Sequence, residues 1–503
     1  MKKILFITIF FSIIFVFFSS WFVINKDLIF HTDIARDFLL IDEIANKKIT
    51  LIGPRADWKG LFHGPLWLYF NLPAFLIGQG NPIIVAWYWI FILILFSIFY
   101  YLAIKKVFDK KTALLFIPLF LSSMVTFSSN FYNPIGALLL MPLLYVLIIK
   151  YQKTNKMLFL ALSLLISGLM FQFQLAVGGP MLILTSLYAL YQIIKNKTPK
   201  HLLAFLILFI PLSTFILFDL RHDFMQFRAV INHFNGVEKY NSISLIDKIT
   251  NRIGTITNQG LGFFKDKFSF LNLVIGSLIS IIISYLFYKK KFKTEYFLFL
   301  YFFVGFYILS IFYQGVLLIH YYLPLTPLPL LVFSSFNEKI NKKIFYIFYL
   351  IIIFANIFTG LKQISFANKY IGKDKTSWSG LLNVAKTTYT NLDRSEFGLY
   401  LYAPDMYGYS QKYAFLYGQT LYPNKKMVFS QKRNITFLIY EPAPQSMPWL
   451  DGSGWKSGLV KIDKEPIQTI KFPNGFRMEK YILTDEELTI QSDSILNDWV
   501  SQR

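Results

Sequence analysis

The sequence predicts a polytopic α-helical membrane protein with about 11 transmembrane helices, followed by a small C-terminal extracytoplasmic α/β or α+β domain. Three observations support this fold class. The chain of 503 residues is 55% hydrophobic, and its mean hydropathy is +0.48. Its apolar runs approach the length of about 20 residues that a helix needs to cross a bilayer. The last part of the chain is instead polar, with short alternating segments typical of strands.

Eleven apolar runs are long enough for membrane-spanning helices. Only helices and closed barrels satisfy the backbone within lipid, and these runs are too long for barrel strands. The first run lacks a clear small-residue cleavage site, so we interpret it as an uncleaved span and not as a signal peptide. A shorter stretch, 64–78, has Pro73 near its middle and is predicted to be an interfacial or re-entrant helix. The eleven runs are 4–23, 83–104, 112–128, 133–149, 157–174, 178–194, 202–219, 269–288, 296–315, 319–335 and 344–362.

The net charge of +22 is arranged as in a membrane protein. Lys and Arg cluster in short gaps between the apolar runs, which is the positive-inside pattern and does not indicate a nucleic-acid partner. The short outer loops 129–132, 175–177 and 316–318 contain no Lys or Arg. We therefore expect a multi-pass plasma-membrane protein with a cytoplasmic N-terminus. The predicted inner loops, each with three or four Lys or Arg residues, are 105–111, 150–156, 195–201, 289–295 and 336–343.

This pattern divides the chain into a transmembrane domain, 1–363, and a soluble extracytoplasmic domain, 364–503. The transmembrane domain has two long outer loops, 24–82 and 220–268. About 140 residues are enough for the second domain to build a core of its own. Its predicted strands include 398–402 and 436–440, and its predicted helices include 381–392 and 410–419.

Three charged residues, Asp33, Arg36 and Asp37, follow the first span directly. A carboxylate at the edge of a bilayer is costly and is usually retained for function. On a helix these three positions share one face, so Arg36 can hold one carboxylate while another faces a cavity. We predict that Asp33 is a catalytic general base, with Arg36 and Asp37 in the same site. The alternative is an ordinary salt-bridged start of a helix.

The wider stretch, 31–66, resembles the first outer loop of the GT-C glycosyltransferases. An Asp-x-x-Arg-Asp motif at 33–37 is followed by Gly-Pro-Arg at 53–55 and by His-Gly-Pro-Leu at 63–66. The resemblance is greatest to the protein O-mannosyltransferase and aminoarabinose transferase branch. It implies a GT-C-like fold and transfer of a sugar from a polyprenyl-phosphate carrier at the outer membrane face. Asp33 matches the family's Asp and Arg36 its Arg, whereas the family's Glu is replaced by Ile34.

Further polar residues fall at the outer ends of predicted spans, which suggests one shared cavity. For the anionic phosphate of such a donor we predict Arg221, His222 and His320, with Lys59 and His63 behind them. The predicted cavity residues are Asn133, Gln172, Gln174 and Tyr321.

The sequence identifies no cofactor. It contains no cysteine, and its six histidines include no pair with metal-ligand spacing, so we predict no metal site. A hard divalent cation bound by Asp33 or Asp37 is an alternative that the residues leave open. The predicted partners are the lipid-linked donor, membrane lipid and an acceptor that is a protein, a lipid or a glycan.

Two other classes of function compete with the transferase. A transporter or lipid flippase places polar residues near the middle of the bilayer, whereas here they gather at one face. A receptor-like protein leaves the 31–66 stretch unexplained. We therefore favour the enzyme.

Overall fold

A long helical region precedes a sheet in this computed structural model, which describes residues 2–46, 48–127, 129–235, 244–264, 269–392 and 394–498. The helical region ends with a 29-residue helix whose last residue is Tyr370. Its α-helices are α1 (Lys2–Ile24), α2 (Thr32–Ala45), α3 (Leu66–Ile77), α4 (Pro82–Ile104), α5 (Lys110–Ser123), α6 (Pro134–Thr154), α7 (Met157–Phe173), α8 (Leu175–Lys195), α9 (Phe209–Arg221), α10 (Met225–Phe234), α11 (Leu245–Thr255), α12 (Leu271–Tyr288), α13 (Thr294–Leu309), α14 (Ile319–Tyr322), α15 (Pro327–Ser335) and α16 (Lys342–Tyr370).

Eight helices among the described residues are long and apolar enough to cross a membrane. The chain is therefore a multi-pass membrane protein. Many of their large apolar side chains are exposed on the outside of the bundle, as a lipid environment requires. The eight are Lys2–Ile24, Pro82–Ile104, Pro134–Thr154, Leu175–Lys195, Pro199–Arg221, Leu271–Tyr288, Thr294–Phe312 and Lys342–Tyr370. Pro199–Arg221 consists of a 3₁₀ segment, Pro199–Leu208, followed by α9.

The other three predicted spans are also helical, but they are shorter, so the count of 11 is not confirmed. α5 has 14 residues and α7 has 17. The predicted span 319–335 is divided into α14, a 3₁₀ turn at Leu323–Leu325, and α15. Prolines 324, 327 and 329 lack the N–H group that a continuous helix needs, which accounts for the division.

The loops predicted to lie outside meet at one end of the bundle. The N–H of Ile29 donates to the carbonyl of Ser129 at 2.9 Å, which joins the first long loop to the loop after α5. The N–H of Phe62 donates to Oε1 of Gln226 at 3.1 Å, which joins the two long loops. The 64–78 stretch forms α3 at this end, as predicted, and Pro65 stands at its N-cap.

The loops predicted to lie inside meet at the opposite end. Nζ of Lys153 lies 2.5 Å from Oε1 of Glu295 and donates to the carbonyl of Val107 at 3.1 Å. Nδ2 of Asn196 donates to Oδ1 of Asn155 at 3.1 Å. The structure thus groups these loops as the Lys and Arg pattern predicted, and the orientation of the two ends in a cell stays a prediction.

A five-stranded mixed sheet forms the C-terminal part of the chain. Its order is β2-β1-β3-β5-β4, with β1 parallel to β2 and β3, and β5 antiparallel to β3 and β4. The division at residue 363 stays a prediction, because α16 continues to Tyr370. The elements in chain order are α17 (Trp378–Thr390), β1 (Glu396–Tyr402), α18 (Tyr409–Leu421), β2 (Lys426–Phe429), β3 (Ile435–Tyr440), β4 (Gln468–Lys471) and β5 (Arg477–Ile482).

Side chains that alternate along β1 and β3 bury both faces of this sheet. Phe397 and Phe437 belong to the same core as residues of α17 and α18. Tyr402 and Tyr440 point to the other face, where Trp455 packs against both rings. The prediction of a small C-terminal α/β or α+β region is thus confirmed in its mixture of helices with a sheet.

The sheet region is fixed to the polar end of the bundle through the chain that follows α1. The N–H of Phe30 donates to the carbonyl of Thr376 at 2.6 Å, and the N–H of Trp378 donates to that of Leu28 at 3.1 Å. The rings of Phe30 and Trp378 lie 4.8 Å apart. These contacts bring α18 against α2, and so they decide what surrounds Asp33.

Candidate active site

The start of α2 is fixed by its N-cap residue, His31. Nδ1 of His31 accepts a hydrogen bond from the N–H of Asp33 at 3.2 Å, which satisfies one free donor of the first turn. Nε2 of His31 lies 2.8 Å from Oδ1 of Asn130 in the loop after α5. His31 therefore fixes the start of α2 so that Asp33 lies in the first turn of the helix.

Arg36 lies between the two carboxylates, as the helical spacing predicted. Its Nη1 lies 3.1 Å from Oδ1 of Asp33, and its Nη2 and Nε lie 2.9 and 3.1 Å from Oδ1 of Asp37. The surroundings of the two acids differ sharply. The Asp33 side chain is 58% exposed, whereas those of Arg36 and Asp37 are 20% and 3% exposed. Asp33 can thus meet a substrate, and Asp37 anchors the guanidinium from below.

Burial raises the pKa of Asp37 to about 6, although the charge of Arg36 acts in the opposite direction. Asp37 is consequently ionised at neutral pH and begins to take up a proton near pH 6. A pKa close to neutral suits a general base, but a base must first reach the proton it removes. The nearly complete burial of Asp37 therefore favours Asp33 for that role.

Aromatic and imidazole rings line the side of the site that Asp33 faces. Asp33 lies within electrostatic range of Tyr132 and His320. The centroids of the Tyr132 and His320 rings are 6.3 Å apart, and Tyr132 is also 6.3 Å from His31. Burial, together with the negative charge of Asp33, raises the pKa of the Tyr132 hydroxyl to about 12. His320 thus belongs to the Asp33 site.

The first long loop contributes a hairpin, residues 53–64, to the same site. The N–H of Gly53 donates to the carbonyl of His63 at 2.8 Å, and the N–H of His63 donates to that of Pro54 at 2.9 Å. The two strands of this hairpin approach closely, because an added Cβ at Gly53 would lie 2.2 Å from the carbonyl oxygen of Gly64. The Gly-Pro-Arg and His-Gly-Pro-Leu motifs are thus two sides of one turn.

His63 belongs to this hairpin, and its side chain is partly buried. Burial lowers its pKa to about 3, and the positive charge of Arg36 adds to the effect. The N–H of Leu175 donates to Nδ1 of His63 at 3.3 Å, which leaves Nε2 as the protonated nitrogen. His63 is therefore neutral and offers a phosphate an N–H group but no cation.

The predicted cavity residues are buried, and their known contacts hold helices together. Nδ2 of Asn133 donates to the carbonyl of Phe173 at 2.7 Å and to Oε1 of Gln174 at 3.2 Å. Nε2 of Gln172 donates to Thr214 at 2.8 Å, and its Oε1 accepts from the N–H of Leu66. These three side chains join α3, α6, α7 and α9 beneath the site.

Tyr321 is buried on the other side, next to His320. Its ring packs edge-on against Tyr313 at 5.5 Å. The hydroxyl of Tyr313 donates to Oδ2 of Asp57 at 3.4 Å, so this pair of rings connects α14 with the 53–64 hairpin.

Arg221, His222 and Lys59 lie at the same end of the bundle but outside the Asp33 group. Among the described residues, no hydrogen bond or ion pair links Arg221 or His222 to Asp33, Arg36 or Asp37. His222 stacks on Phe218 at 4.1 Å and bonds its carbonyl through Nδ1. Lys59 is exposed near the tip of the 53–64 hairpin.

Three residues that the sequence did not single out do approach the site. Tyr409, at the start of α18, lies within electrostatic range of both Arg36 and Arg55. Asp405 accepts a hydrogen bond from the hydroxyl of Thr32 at 2.9 Å. Arg55 could have been found as the cation of the Gly-Pro-Arg motif. Asp405 is 373 residues from Thr32, and no local pattern marks it.

No group of three His, Cys, Asp or Glu side chains in the described part of the chain is arranged to hold a metal ion. At Asp33 and Asp37 the guanidinium of Arg36 already occupies the position between the carboxylates. A divalent cation there would have to compete with Arg36, and the prediction of such a cation remains untested.

An apolar groove lies between α11, α12 and α13. Ile256, Leu261 and Phe303 line its inside, and the exposed Ile253 and Leu273 belong to its rim. Arg252 stands at one end, where its guanidinium donates to main-chain carbonyls of the segment that follows α13.

The folded chain resembles the solved structure of ArnT in two states. ArnT from Cupriavidus metallidurans bound to undecaprenyl phosphate superposes with a TM-score of 0.58 at 10% identity, over 94% of this chain and 97% of that one. The apo state of the same protein gives a TM-score of 0.56 at 10% identity, over 92% and 95%. The chain has an ArnT-like fold. The GT-C resemblance drawn from the 31–66 stretch is thus confirmed at the level of the fold.

A third solved structure, the oligosaccharyltransferase of Archaeoglobus fulgidus in complex with Zn and sulfate, gives a TM-score of 0.44 at 13% identity, over 83% of this chain and 62% of that one. No protein-family model matches the sequence. No curated protein matches it by sequence either.

Proposed function

We propose that this protein is a hexosyl- or pentosyltransferase that moves a sugar from a polyprenyl-phosphate-linked donor to an acceptor at the outer face of the membrane. One observation carries the proposal. Arg36 holds an exposed carboxylate, Asp33, above a buried one, Asp37, at the polar end of a bundle with an ArnT-like fold. An exposed acid oriented by a fixed cation is what a general base requires.

In the proposed reaction, a hydroxyl or amine of the acceptor attacks the anomeric carbon of the donor sugar. The bond from this carbon to the phosphate oxygen breaks, and polyprenyl phosphate leaves with the bonding electrons. Asp33 takes the acceptor's proton. Arg36 contacts Oδ1 of Asp33, and no hydrogen bond from the described residues reaches Oδ2, which is therefore the oxygen that we assign to the proton.

The apolar groove supports a lipid-linked donor. Its Arg252 end is joined to the site, because Arg252 donates to the carbonyls of Ser310 at 2.8 Å and Tyr313 at 3.2 Å. Tyr313 in turn contacts Tyr321 and Asp57. A polyprenyl chain in the groove would leave its phosphate near the 53–64 hairpin. The fold shared with an ArnT that binds undecaprenyl phosphate also supports this class of donor.

The cations best placed for the donor phosphate are Arg36 and Arg55. Both lie within electrostatic range of Tyr409, so both are near the start of α18. Arg55 is exposed and therefore available for the two-pronged hydrogen bonding by which guanidinium groups bind phosphates. His320 and neutral His63 would add N–H donors.

Replacement of Asp33 tests the proposal. General-base catalysis contributes about 10²–10⁴-fold, or about 3–5 kcal/mol of barrier, so Asp33→Asn should lower the transfer rate by that factor while donor binding survives. Mass spectrometry of envelope lipids and glycans, from cells with the active protein and cells with the variant, identifies the product. Transfer in membrane preparations then gives the rates.

Asp37→Asn is the matched variant. It should lower the transfer rate less than Asp33→Asn does, because it weakens the contact with Arg36 but leaves the proposed base in place. If Asp33→Asn transfers normally and Asp37→Asn does not, the base is Asp37. If both transfer normally, the 31–66 stretch is not the active site and the proposal fails.

A further inference from the structure

The loop that follows β1, residues 403–408, reaches the candidate active site from the sheet region. Oδ2 of Asp405 accepts a hydrogen bond from the hydroxyl of Thr32 at 2.9 Å. Oδ1 of the same carboxylate accepts from the N–H groups of Tyr407 and Gly408 at 3.0 and 3.1 Å. Since Thr32 directly precedes Asp33, the loop is tied to the immediate neighbour of the proposed base.

This loop presents an aromatic surface next to the site. The ring of Tyr407 is stacked on that of Tyr409 with centroids 5.3 Å apart and an interplanar angle of 26°. Tyr409 is buried and lies within electrostatic range of Arg36, whereas Tyr407 is 50% exposed. The exposed Tyr407 ring is thus next to the candidate active site, with Tyr409 between it and Arg36.

The position of the loop in the sheet is also one where open α/β sheets bind ligands. β1 lies between two parallel partners, β2 on one side and β3 on the other, so the strand order reverses at its carboxyl end. Glu441 follows β3 at the same edge and pairs with Lys375 at 2.6 Å. Gln411 lies behind the loop, buried, and its Oε1 has no hydrogen-bond partner among the described residues.

We propose that Asp405 and Tyr407, in the 403–408 loop, form the acceptor subsite of the transferase and that the acceptor is a carbohydrate. This inference rests on the proposed function. A pyranose ring would pack its C–H face on Tyr407, because an aromatic face carries partial negative charge and a C–H face is slightly positive. A sugar hydroxyl would donate to Asp405, whose carboxylate has about four acceptor positions and uses three of them here. A neighbouring hydroxyl of the same acceptor would then meet Asp33.

Saturation-transfer NMR on the full chain in lipid nanodiscs tests the subsite independently of transfer. The probes are three soluble trisaccharides, namely maltotriose, mannotriose and chitotriose. We expect the ring C–H protons of at least one probe to receive saturation. Tyr407→Ala should weaken its binding by about two- to tenfold, the equivalent of one aromatic contact, whereas Tyr407→Phe should retain it because the ring remains. Asp405→Asn should also weaken it.

Two controls separate a subsite from a general loss of structure. Met406→Ala changes an exposed neighbour in the same loop, and Asp485→Asn changes an exposed acid elsewhere in the sheet region; both should bind the probe normally. Thermal unfolding shows whether each variant is folded. The inference is overturned if no probe receives saturation from the unaltered protein, or if Tyr407→Ala binds as well as Met406→Ala.

The outcome is distinguishable from that of the proposed function. Asp33→Asn should bind the trisaccharide normally and lose transfer. If Asp33→Asn loses transfer and the probes do not bind, only the carbohydrate subsite is wrong. If the probes bind and Asp33→Asn transfers normally, the loop binds sugars but the assignment of the base fails.

Discussion

Arg36 pairs with two acids that have different tasks. Asp33 is exposed and bonded through one oxygen, whereas Asp37 is buried and receives two hydrogen bonds from the guanidinium. Charge-assisted bonds of this kind are short and orienting. At the scale of single residues, the site is therefore a fixed cation that presents one carboxylate to the substrate.

The raised pKa of Asp37 predicts an acid limb in the pH profile. Above about pH 6 the ionised Asp37 carboxylate pairs with Arg36. Below about pH 6 Asp37 is protonated and neutral, so this ion pair is lost. We expect the transfer rate to fall as pH drops through about 6, and Asp37→Asn to lower the rate and remove this limb. An unchanged limb in the variant would assign it to another group.

The same pKa predicts a change in stability with the opposite dependence on pH. The folded pKa lies above the unfolded value, so the folded state binds the proton more tightly and is favoured by acid. The contribution of Asp37 to the free energy of unfolding is thus lost as pH rises from about 4 to 6. Thermal unfolding of Asp37→Asn should lack this loss, whereas Asp485→Asn, which changes an exposed acid, should keep it.

The donor phosphate has two candidate positions, one at Arg55 and one at Arg221. Removal of a guanidinium that bonds a charged group costs about 1.5–3 kcal/mol, so Arg55→Ala should raise the apparent donor requirement by about 10–100-fold. Arg55→Lys should rescue it only partly, because a point charge cannot form the two-pronged bond. The sequence pointed to Arg221. If Arg221→Ala raises the donor requirement and Arg55→Ala does not, the phosphate lies at the end of α9.

At the scale of elements, one buried carboxylate fixes the sheet region to the bundle. Asp27 follows α1 and is fully buried. Its Oδ2 accepts from the hydroxyls of Ser377 and Ser379 at 2.6 and 2.9 Å, and its Oδ1 accepts from the N–H of Ser379 at 3.1 Å. The chain before α17 is thereby held next to α2, which is what brings Asp405 and Tyr409 to the site.

Loss of this carboxylate should loosen the sheet region. Asp27→Asn replaces charged acceptors by a neutral amide and should cost about 2–3 kcal/mol. We expect faster proteolysis between α16 and α17 and a lower midpoint of thermal unfolding. Asp374→Asn is the matched control, because the side chain of Asp374 bonds only to Thr376 among the described residues. Equal protease sensitivity of the two variants would show that Asp27 does not hold the two parts together.

At the scale of the whole molecule, the polar loops and the Lys-rich loops occupy opposite ends. This separation makes the orientation testable. Reporter fusions after residues 108, 240 and 400 should read inside, outside and outside; position 240 lies outside the described residues. An inside result at 400 would reverse the placement of the sheet region, and with it the membrane face at which transfer occurs.

The sequence by itself determined the helical segments, their grouping at two ends and the Arg36 cluster. All three are local properties: a run of apolar residues fixes a span, Lys and Arg mark one side, and positions 33, 36 and 37 share a face on any helix. Two of the five strands of the C-terminal sheet, β1 and β3, were also predicted from alternating segments. The exact spans were less certain, because the prolines within 319–335 break a run that hydropathy alone treats as continuous.

Only the tertiary structure decided which charges and rings share the site. His63 was predicted to stand near the donor phosphate, and burial beside Arg36 keeps it neutral. Asp33 and Asp37 are chemically identical in the sequence, and their exposure distinguishes the proposed base from the buried acid. Asp405 meets Thr32 across 373 residues because Asp27 and the pairing around Phe30 dock the sheet region on α2. Such contacts depend on long-range packing, which no short stretch of sequence specifies.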